Sequence, residues 1–253
     1  VKPDHILHLT VLKACGAIQN IDQGRQIHDQ IIIHHLETDV YLGSSIIDMY
    51  MKCMCLEDAH RVFDKLTNLN IVAWNALISG YAEHGPSEEA LLALELMQCE
   101  GEAPNSCTFT HCLKACSNIF SICKGQYIHT QIAATGLEKD LFIGNTLVDM
   151  YGNCGGFEDA CKVFNELPNP DIVSWSVVIS GYAERGEITL VKESLNKMAD
   201  QGIEPDDIMF MSMLSVFTHI GSVKEGCVYF KYMMSFYGLI PTIEHYNSMI
   251  DLL

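Results

Sequence analysis

A fifteen-residue stretch occurs twice in this chain and constrains its fold more than any other feature. Residues 71–85 read IVAWNALISGYAEHG and residues 172–186 read IVSWSVVISGYAERG, with ten of the fifteen positions identical. The copies are 101 residues apart, and each holds one of the two tryptophans, Trp74 and Trp175. Self-similarity at a fixed period is characteristic of repeat architectures, so the fold has to be assigned from the repeat.

The 101-residue offset extends well beyond this stretch. LKAC at 12–15 and EDA at 57–59 return at 113–116 and 158–160. Each block divides further at helix stop and start signals, which predicts one repeat array over 1–253. The predicted repeat units are 5–39 (long), 40–70 (short), 71–105 (standard), 106–140 (long), 141–171 (short), 172–206 (standard), 207–242 (long) and a truncated unit, 243–253.

Each repeat unit is predicted to form two helices. In 71–105, apolar residues recur every three or four positions in two stripes, which indicates amphipathic helices. Gly85 and Pro86 separate the stripes, and Gly101 ends the second. One hairpin cannot bury both apolar faces, so stacking predicts an all-α solenoid with a concave and a convex side. Similar punctuation is expected at Gly43, Gly144, Gly156, Gly202 and Pro205.

Composition narrows the functional classes. No apolar run reaches the roughly 18–20 residues of a membrane span. The opening VKPD has no leader-like segment, which predicts an internal piece of a longer protein. The eleven cysteines lie within helical patterns, so we expect reduced, packing thiols in an intracellular protein. The formal charge of -17 weighs against nucleic-acid binding, because most such proteins are basic.

Catalytic and metal motifs are weak. His35 and Glu37 have the His-x-Glu spacing of a zinc deaminase, but the chain has no Cys-x-x-Cys. We therefore predict no enzyme activity, no metal, no cofactor and no small-molecule substrate. The spacings Cys53-x-Cys55 and Cys112-x₃-Cys116 do not fit structural zinc. A structural role is expected for His28 and His129, and core packing for Trp74 and Trp175.

Several motifs resemble those of the pentatricopeptide repeat family. They are VAWNALISGYAEHG, SIIDMYMKC, VLKACGAI and GRQIHDQI, together with hairpins that end in Pro-Asn or Pro-Asp. The 35-, 31- and 35-residue alternation is similar to the plant-enriched PLS subclass of that family. The resemblance implies a right-handed superhelix of stacked helix-turn-helix repeats that binds single-stranded RNA, one base per repeat.

In this family, the fifth and last residues of a unit choose the base. The resemblance therefore implies a reading, 5′ to 3′ from the N to the C terminus, of A, C/U, weak G, U, G. The corresponding pairs are Ser44 and Asn70 (adenine), Asn75 and Asn105 (a pyrimidine, C before U), Thr110 and Asp140 (guanine), Asn145 and Asp171 (uracil), and Ser176 and Asp206 (guanine). Asn247 is the fifth residue of the truncated unit.

Two units depart from this pattern, because Leu9 (with Asp39) and Met211 (with Thr242) cannot hydrogen-bond a base through their side chains. Both units are expected to be silent, which means that they do not select a base. The second residue of a unit is implied to hold bases between neighbouring repeats. Val72 and Val173 match that role, and Ile6 and Ile208 are aliphatic residues of the same kind. Tyr41 and Phe142 are aromatic instead, and they could either stack on bases or pack within the protein.

The phosphate contacts implied by the array are few. Lys13, Lys52 and Lys114 lie on first helices and are the candidates, whereas many acidic residues fall on second helices, on the convex side in this family. We therefore expect RNA binding with a shallow salt dependence.

The IEHYN sequence at 243–247 is similar to the repeats that precede the C-terminal region of organelle RNA-editing factors. This implies site recognition for C-to-U editing in a mitochondrion or chloroplast, with MORF-type cofactors or a separate DYW deaminase as partners and no membrane association. Two alternatives stay open: an RNA stability or splicing factor of the same family, and a helical protein–protein scaffold. The recurring polar pairs favour RNA, because a scaffold does not need them at repeat intervals.

Overall fold

A computed structural model describes residues 5–34, 36, 39–66 and 69–253. These residues form α-helices, with one short 3₁₀ helix at Leu137–Lys139 and no strand among the described residues, which confirms the all-α prediction. The helices are α1 (His5–Ala17), α2 (Ile21–Ile33), α3 (Val40–Lys52), α4 (Leu56–Lys65), α5 (Ile71–His84), α6 (Ser87–Cys99), α7 (Ser106–Asn118), α8 (Ile122–Thr135), α9 (Leu141–Asn153), α10 (Phe157–Glu166), α11 (Ile172–Glu184), α12 (Ile188–Asp200), α13 (Asp207–Ile220), α14 (Val223–Ser235) and α15 (Ile243–Leu252).

The helices form two compact halves, Val1–Leu137 and Glu138–Leu253. In the N-terminal half, α1, α3, α5 and α7 lie side by side, and α2, α4, α6 and α8 each pack behind the first helix of their own hairpin. In the C-terminal half, α9, α11, α13 and α15 form the same kind of layer, with α10, α12 and α14 behind it. Each half is therefore a stack of helical hairpins.

The first helices begin where the proposed repeat units begin, and the reason is local chemistry. The last residue of the preceding unit caps the helix, because its side-chain oxygen accepts hydrogen bonds from backbone N–H groups of the first turn. The assignment of long, short and standard types remains a prediction. The capping residues are Asp39, Asn70, Asn105, Asp140, Asp171 and Asp206.

Both tryptophans of the repeated stretch are core residues, as predicted. Trp74 and Trp175 are each 3% exposed. Each indole meets a phenylalanine of the preceding hairpin edge-on: Phe63 and Trp74 have ring centroids 4.8 Å apart, and Phe164 and Trp175 have centroids 4.7 Å apart. This T-shaped arrangement is favourable for aromatic pairs. The tryptophans of the repeated stretch therefore serve mainly to pack one hairpin against the preceding hairpin.

The interpretation of Gly43 and Gly144 as helix punctuation is wrong. Both lie inside helices, α3 and α9. A Cβ on Gly43 would be 2.5 Å from Leu66 Cδ2, and one on Gly144 would clash with Leu167 in the same way. These glycines permit a close approach of the chain segment that ends each short hairpin. Gly156 and Gly202 do lie at helix ends.

His28 has the structural role that was predicted for it. Its Nδ1 lies 2.9 Å from the hydroxyl oxygen of Tyr50, at the contact between α2 and α3. Burial raises the pKa of Tyr50 to about 12, so this hydroxyl keeps its proton at neutral pH. The same role for His129 remains a prediction.

Candidate nucleic-acid interface

In four of the first helices, α3, α5, α9 and α11, the second residue is a large apolar side chain that faces solvent. Tyr41 is 62% exposed, Val72 40%, Phe142 65% and Val173 49%. Each stands three positions before the fifth residue of its unit, and side chains three apart share one face of a helix. Every one of these helices therefore places an exposed apolar group beside a polar one. Ile6 and Ile208 are exposed in the same register.

The structure brings Asn75 and Asn105 together. Asn75 Nδ2 donates a hydrogen bond to Asn105 Oδ1 at 3.3 Å. A third side chain completes the contact, because Thr108 Oγ1 donates to Asn75 Oδ1 at 2.6 Å and the Thr108 N–H donates to Asn105 Oδ1 at 3.0 Å. The amide of Asn75 is therefore held by α7, the first helix of the next hairpin.

Asn145 and Asp171 are connected in a similar way through one serine. Ser174 Oγ donates to Asn145 Oδ1 at 2.9 Å, and the Ser174 N–H donates to Asp171 Oδ1 at 2.9 Å. Ser174 is 0% exposed, whereas Asn145 is partly exposed. The Nδ2 group of Asn145 is therefore the part of this amide that is turned away from Ser174.

The hydroxyl groups at Ser44 and Thr110 are engaged within their own helices. Ser44 Oγ donates to the Val40 carbonyl at 2.6 Å, and Thr110 Oγ1 donates to the Ser106 carbonyl at 2.8 Å. Ser44 is also 6% exposed. In the N-terminal half, the hydrogen bonds among described residues do not join Ser44 to Asn70. A base could use only the oxygen lone pairs of these hydroxyls, and base reading by both units remains a prediction.

Ser176 lines an open groove of about 560 Å³ within the C-terminal half, together with Val173 and residues of α9 and α13. Asp149 also lines this groove, and burial raises the pKa of its carboxyl group. Asp206 caps α13, accepting from the Met209 N–H at 2.8 Å, and the structure does not pair it with Ser176 among the described hydrogen bonds. Asn247 is exposed on α15.

Two of the three candidate phosphate contacts already have acidic partners. Lys52 Nζ lies 2.8 Å from Asp48 Oδ2, and Lys114 Nζ lies 3.6 Å from Glu83 Oε1. Surface pairs of this kind are worth about 0–1 kcal/mol, so a phosphate could replace the carboxylate. Lys13 is exposed.

Within the described residues, no group of three or more His, Cys, Asp or Glu side chains could hold a metal ion. The Cys112 and Cys116 side chains are fully buried, and burial raises the pKa of the Cys112 thiol well above its usual range. His35 and Glu37, the residues with deaminase-like spacing, lie outside the described residues. No helix in the described part of the chain is both long and apolar enough to cross a bilayer.

Comparison with known sequences decides the family. Three models match most of the chain: the PPR repeat at 44–71, 145–169 and 173–203, the PPR repeat family at 69–118, and the pentatricopeptide repeat domain at 193–253. The chain belongs to the pentatricopeptide repeat family. The PLS subclass remains a prediction.

Similar pentatricopeptide repeat proteins occur in Arabidopsis thaliana. A putative pentatricopeptide repeat-containing protein is 38% identical over 252 residues, covering 100% of this chain and 34% of the relative. Two others, named chloroplastic and mitochondrial, are each 34% identical over 253 residues, which is 100% of this chain and 29% and 39% of those relatives. The chain thus spans about a third of the length of these relatives.

The fold is that of a solved pentatricopeptide repeat protein. The crystal structure of PPR10 in complex with an 18-nt psaJ RNA element matches with a TM-score of 0.82, covering 99% of this chain and 38% of that one. The sequence identity is 18%, so the similarity concerns the fold, and it supports a helical-repeat solenoid.

Thr108 and Ser174 are the site residues that sequence reasoning missed. It considered the second, fifth and last positions of each pentatricopeptide repeat, whereas these two are third residues. One signal could have identified Thr108: Asn105-x-x-Thr108 has the spacing of a capping box, which the structure contains. The contact of each hydroxyl with an asparagine 33 or 29 positions away has no local signal.

Proposed function

We propose that this pentatricopeptide repeat array binds single-stranded RNA through the exposed face of its first helices, with one base for each repeat. The observation that carries the proposal is the repeated placement of an exposed apolar second residue beside a polar fifth residue. An apolar side chain suits the flat face of an unstacked base, and an oriented amide or hydroxyl suits its Watson–Crick edge. The RNA bound to the structurally similar PPR10 supports this choice of ligand.

The proposed reading is A, C/U, weak G, U, G along the chain from Ser44 to Asp206, and the units that contain Leu9 and Met211 are silent. The units with asparagine are the best supported readers, because the structure orients both amides. The serine and threonine units are proposed on the family pattern alone.

Replacing the uracil opposite Asn145 with adenine is expected to weaken binding about tenfold, or ~1.4 kcal/mol. Adenine is larger than uracil and presents a different edge to the Nδ2 donor. Fluorescence anisotropy with RNAs containing an ACGUG or ACGAG core measures the difference.

The base that follows this core provides the matched control. It lies opposite Met211, and any of the four bases there should bind equally. Asn145→Ala should also remove the preference for uracil while preserving the preference at Asn75. Equal affinity of the wild-type protein for the two cores would contradict the proposed register.

The affinity should depend only weakly on salt. Each phosphate contact to a single strand contributes about -0.7 to the slope of log K against log salt, so three lysines give about -2. Lys13→Ala should reduce this slope by about 0.7, and Lys124→Ala, on second helix α8, should leave it unchanged. A slope steeper than about -4 would indicate phosphate contacts beyond these three lysines.

Organelle RNA is the proposed target, because relatives of this chain are named chloroplastic and mitochondrial. Within that class we favour recognition of sites for C-to-U editing, with the chemistry supplied by a separate DYW deaminase or with MORF-type cofactors, and with no catalysis by this chain. Sequencing of organelle cDNA with and without the protein tests this role. Changed transcript ends or unspliced introns, with every editing site intact, would indicate a stability or splicing factor instead.

A protein-binding scaffold is the second candidate, and one surface favours it. Leu92 and Leu96 on α6 are 48% and 50% exposed, and Tyr127 on α8 is 58% exposed, so the second helices of the N-terminal half present apolar groups. The charge of -17 is also easier to reconcile with a protein partner. Equal binding of ACGUG, AUGUG and scrambled RNAs at two salt concentrations would favour this function over RNA recognition.

A further inference from the structure

From the second repeat unit onward, the third residue of the unit is fully buried at the start of a first helix. This position is 0% exposed in every unit from the second to the seventh, whatever its chemistry. Apolar side chains are expected at a buried position, whereas a buried hydroxyl group needs a hydrogen-bond partner. The residues are Leu42, Ala73, Thr108, Ile143, Ser174 and Met209.

The two hydroxyl-bearing residues find the same kind of partner. Thr108 donates to Asn75 Oδ1 and Ser174 donates to Asn145 Oδ1, in each case the fifth residue of the preceding unit. Thr108 Oγ1 additionally accepts from the Asn105 N–H at 3.2 Å. Its single proton has two acceptors in reach, Asn105 Oδ1 at 3.0 Å and Asn75 Oδ1 at 2.6 Å, and the shorter contact is the one to Asn75. Neither asparagine oxygen is therefore free to accept from a base on the same side.

We propose that Thr108 and Ser174 are positioning residues that set the orientation of the base-reading amides. By holding each Oδ1 inward, they leave an N–H of each Nδ2 group to donate to a base, although in Asn75 the other Nδ2 N–H donates to Asn105 Oδ1. A donor at this place matches O2 of either pyrimidine, N3 of cytosine and O4 of uracil, all of which are acceptors. The inference rests on the proposed function. Purines also carry acceptors on this edge, so the preference for pyrimidines would come from a donor that is held in one place and leaves room for the smaller ring.

The other units follow a consistent pattern. Where the fifth residue is Ser44, Thr110 or Ser176, the third residue of the next unit is Ala73, Ile143 or Met209, which have no hydroxyl. Ser44 and Thr110 bond to carbonyls of their own helices. An asparagine oxygen cannot donate to a carbonyl, so it requires a donor from the neighbouring hairpin. Within 40–253, a third residue with a buried hydroxyl group therefore occurs only where the fifth residue of the preceding unit is asparagine.

The test is the near-isosteric substitution Thr108→Val, measured with four RNAs that differ only in the base opposite Asn75. The preference for pyrimidine over purine should fall about tenfold at this base. The preference for uracil opposite Asn145 should not change, and Thr108→Ser should restore discrimination. Thr130→Val is the matched control, because Thr130 Oγ1 donates to the Gln126 carbonyl at an exposed site on α8.

A purely structural role for Thr108 predicts a different result. Loss of the capping box should lower Tm by about 2–4 °C and weaken all four RNAs equally. Unchanged discrimination in Thr108→Val, beside clear discrimination in the wild type, would overturn the inference and leave the proposed function standing. Wild-type protein without any pyrimidine preference opposite Asn75 would overturn both.

A measurement without RNA further separates the positioning role of Thr108 from a purely structural role. In the free protein, ¹⁵N relaxation of the Asn75 side-chain amide should show an ordered group that becomes mobile in Thr108→Val. The Asn145 amide should respond to Ser174→Ala and not to Thr108→Val. An Asn75 amide that remains equally ordered without the hydroxyl would overturn the positioning role.

Discussion

Replacing Trp175 with alanine is expected to destabilise the C-terminal half by about 3–5 kcal/mol. The indole is 3% exposed, its ring centroid is 4.7 Å from that of Phe164, and Nε1 donates to Gln201 Oε1 at 3.3 Å. Truncation removes the aromatic contact and leaves a cavity between hairpins. Urea unfolding followed by circular dichroism, combined with hydrogen exchange of the α11 amides, measures the loss.

The first copy of the stretch provides a matched comparison. Among the described residues, the buried Trp74 Nε1 has no hydrogen-bond partner, whereas the Trp175 Nε1 has Gln201. Trp175→Phe should therefore cost about 1 kcal/mol more than Trp74→Phe. A Trp175→Ala protein that keeps its stability but loses RNA affinity would contradict the core role and indicate stacking on a base.

Replacing Gly80 with alanine is expected to destabilise the N-terminal half by about 2 kcal/mol, although alanine is the better helix former by about 1 kcal/mol. A Cβ at this position would overlap Met51 Cγ and lie 2.8 Å from Met51 Cβ, and Met51 is fully buried on α3. Helices α3 and α5 would have to separate. Urea unfolding and hydrogen exchange of the α5 amides measure the effect.

Gly16 provides the control for the same substitution. It lies on α1 beside α3, but a Cβ there would meet the flexible end of Lys52 at 3.2 Å. Gly16→Ala should therefore be neutral or stabilising by up to about 1 kcal/mol. Equal stability of Gly80→Ala and the wild type would show that the close approach of α3 and α5 is not required.

Much of the fold could be predicted because the signals are local. The helix starts follow from capping residues such as Asn105 and Asp171, which occur immediately before an apolar stripe. The tryptophans were predicted to be buried, and they are. Gly43 was misread because a glycine inside a helix and a glycine at its end look alike in sequence, and only the Leu66 side chain across the hairpin distinguishes them.

The candidate site was less predictable. Family resemblance placed Asn75, Asn145 and their capping partners on the interface, and the exposed second residues agree with that placement. It did not indicate that Ser44 is buried, or that Lys52 and Lys114 have carboxylate partners. These properties depend on side chains that the fold brings together.

The amino-acid sequence by itself determined the repeated stretch, the helical class and the capping residue at the end of each unit, because all three depend on residues within one helical hairpin. The tertiary structure decided which polar groups remain available to a ligand. Thr108 and Ser174 turn the amides of Asn75 and Asn145, and Gly80 sets how closely α5 approaches α3. Such contacts join residues about thirty positions apart, and stacking of successive hairpins is what brings them within hydrogen-bonding or van der Waals distance.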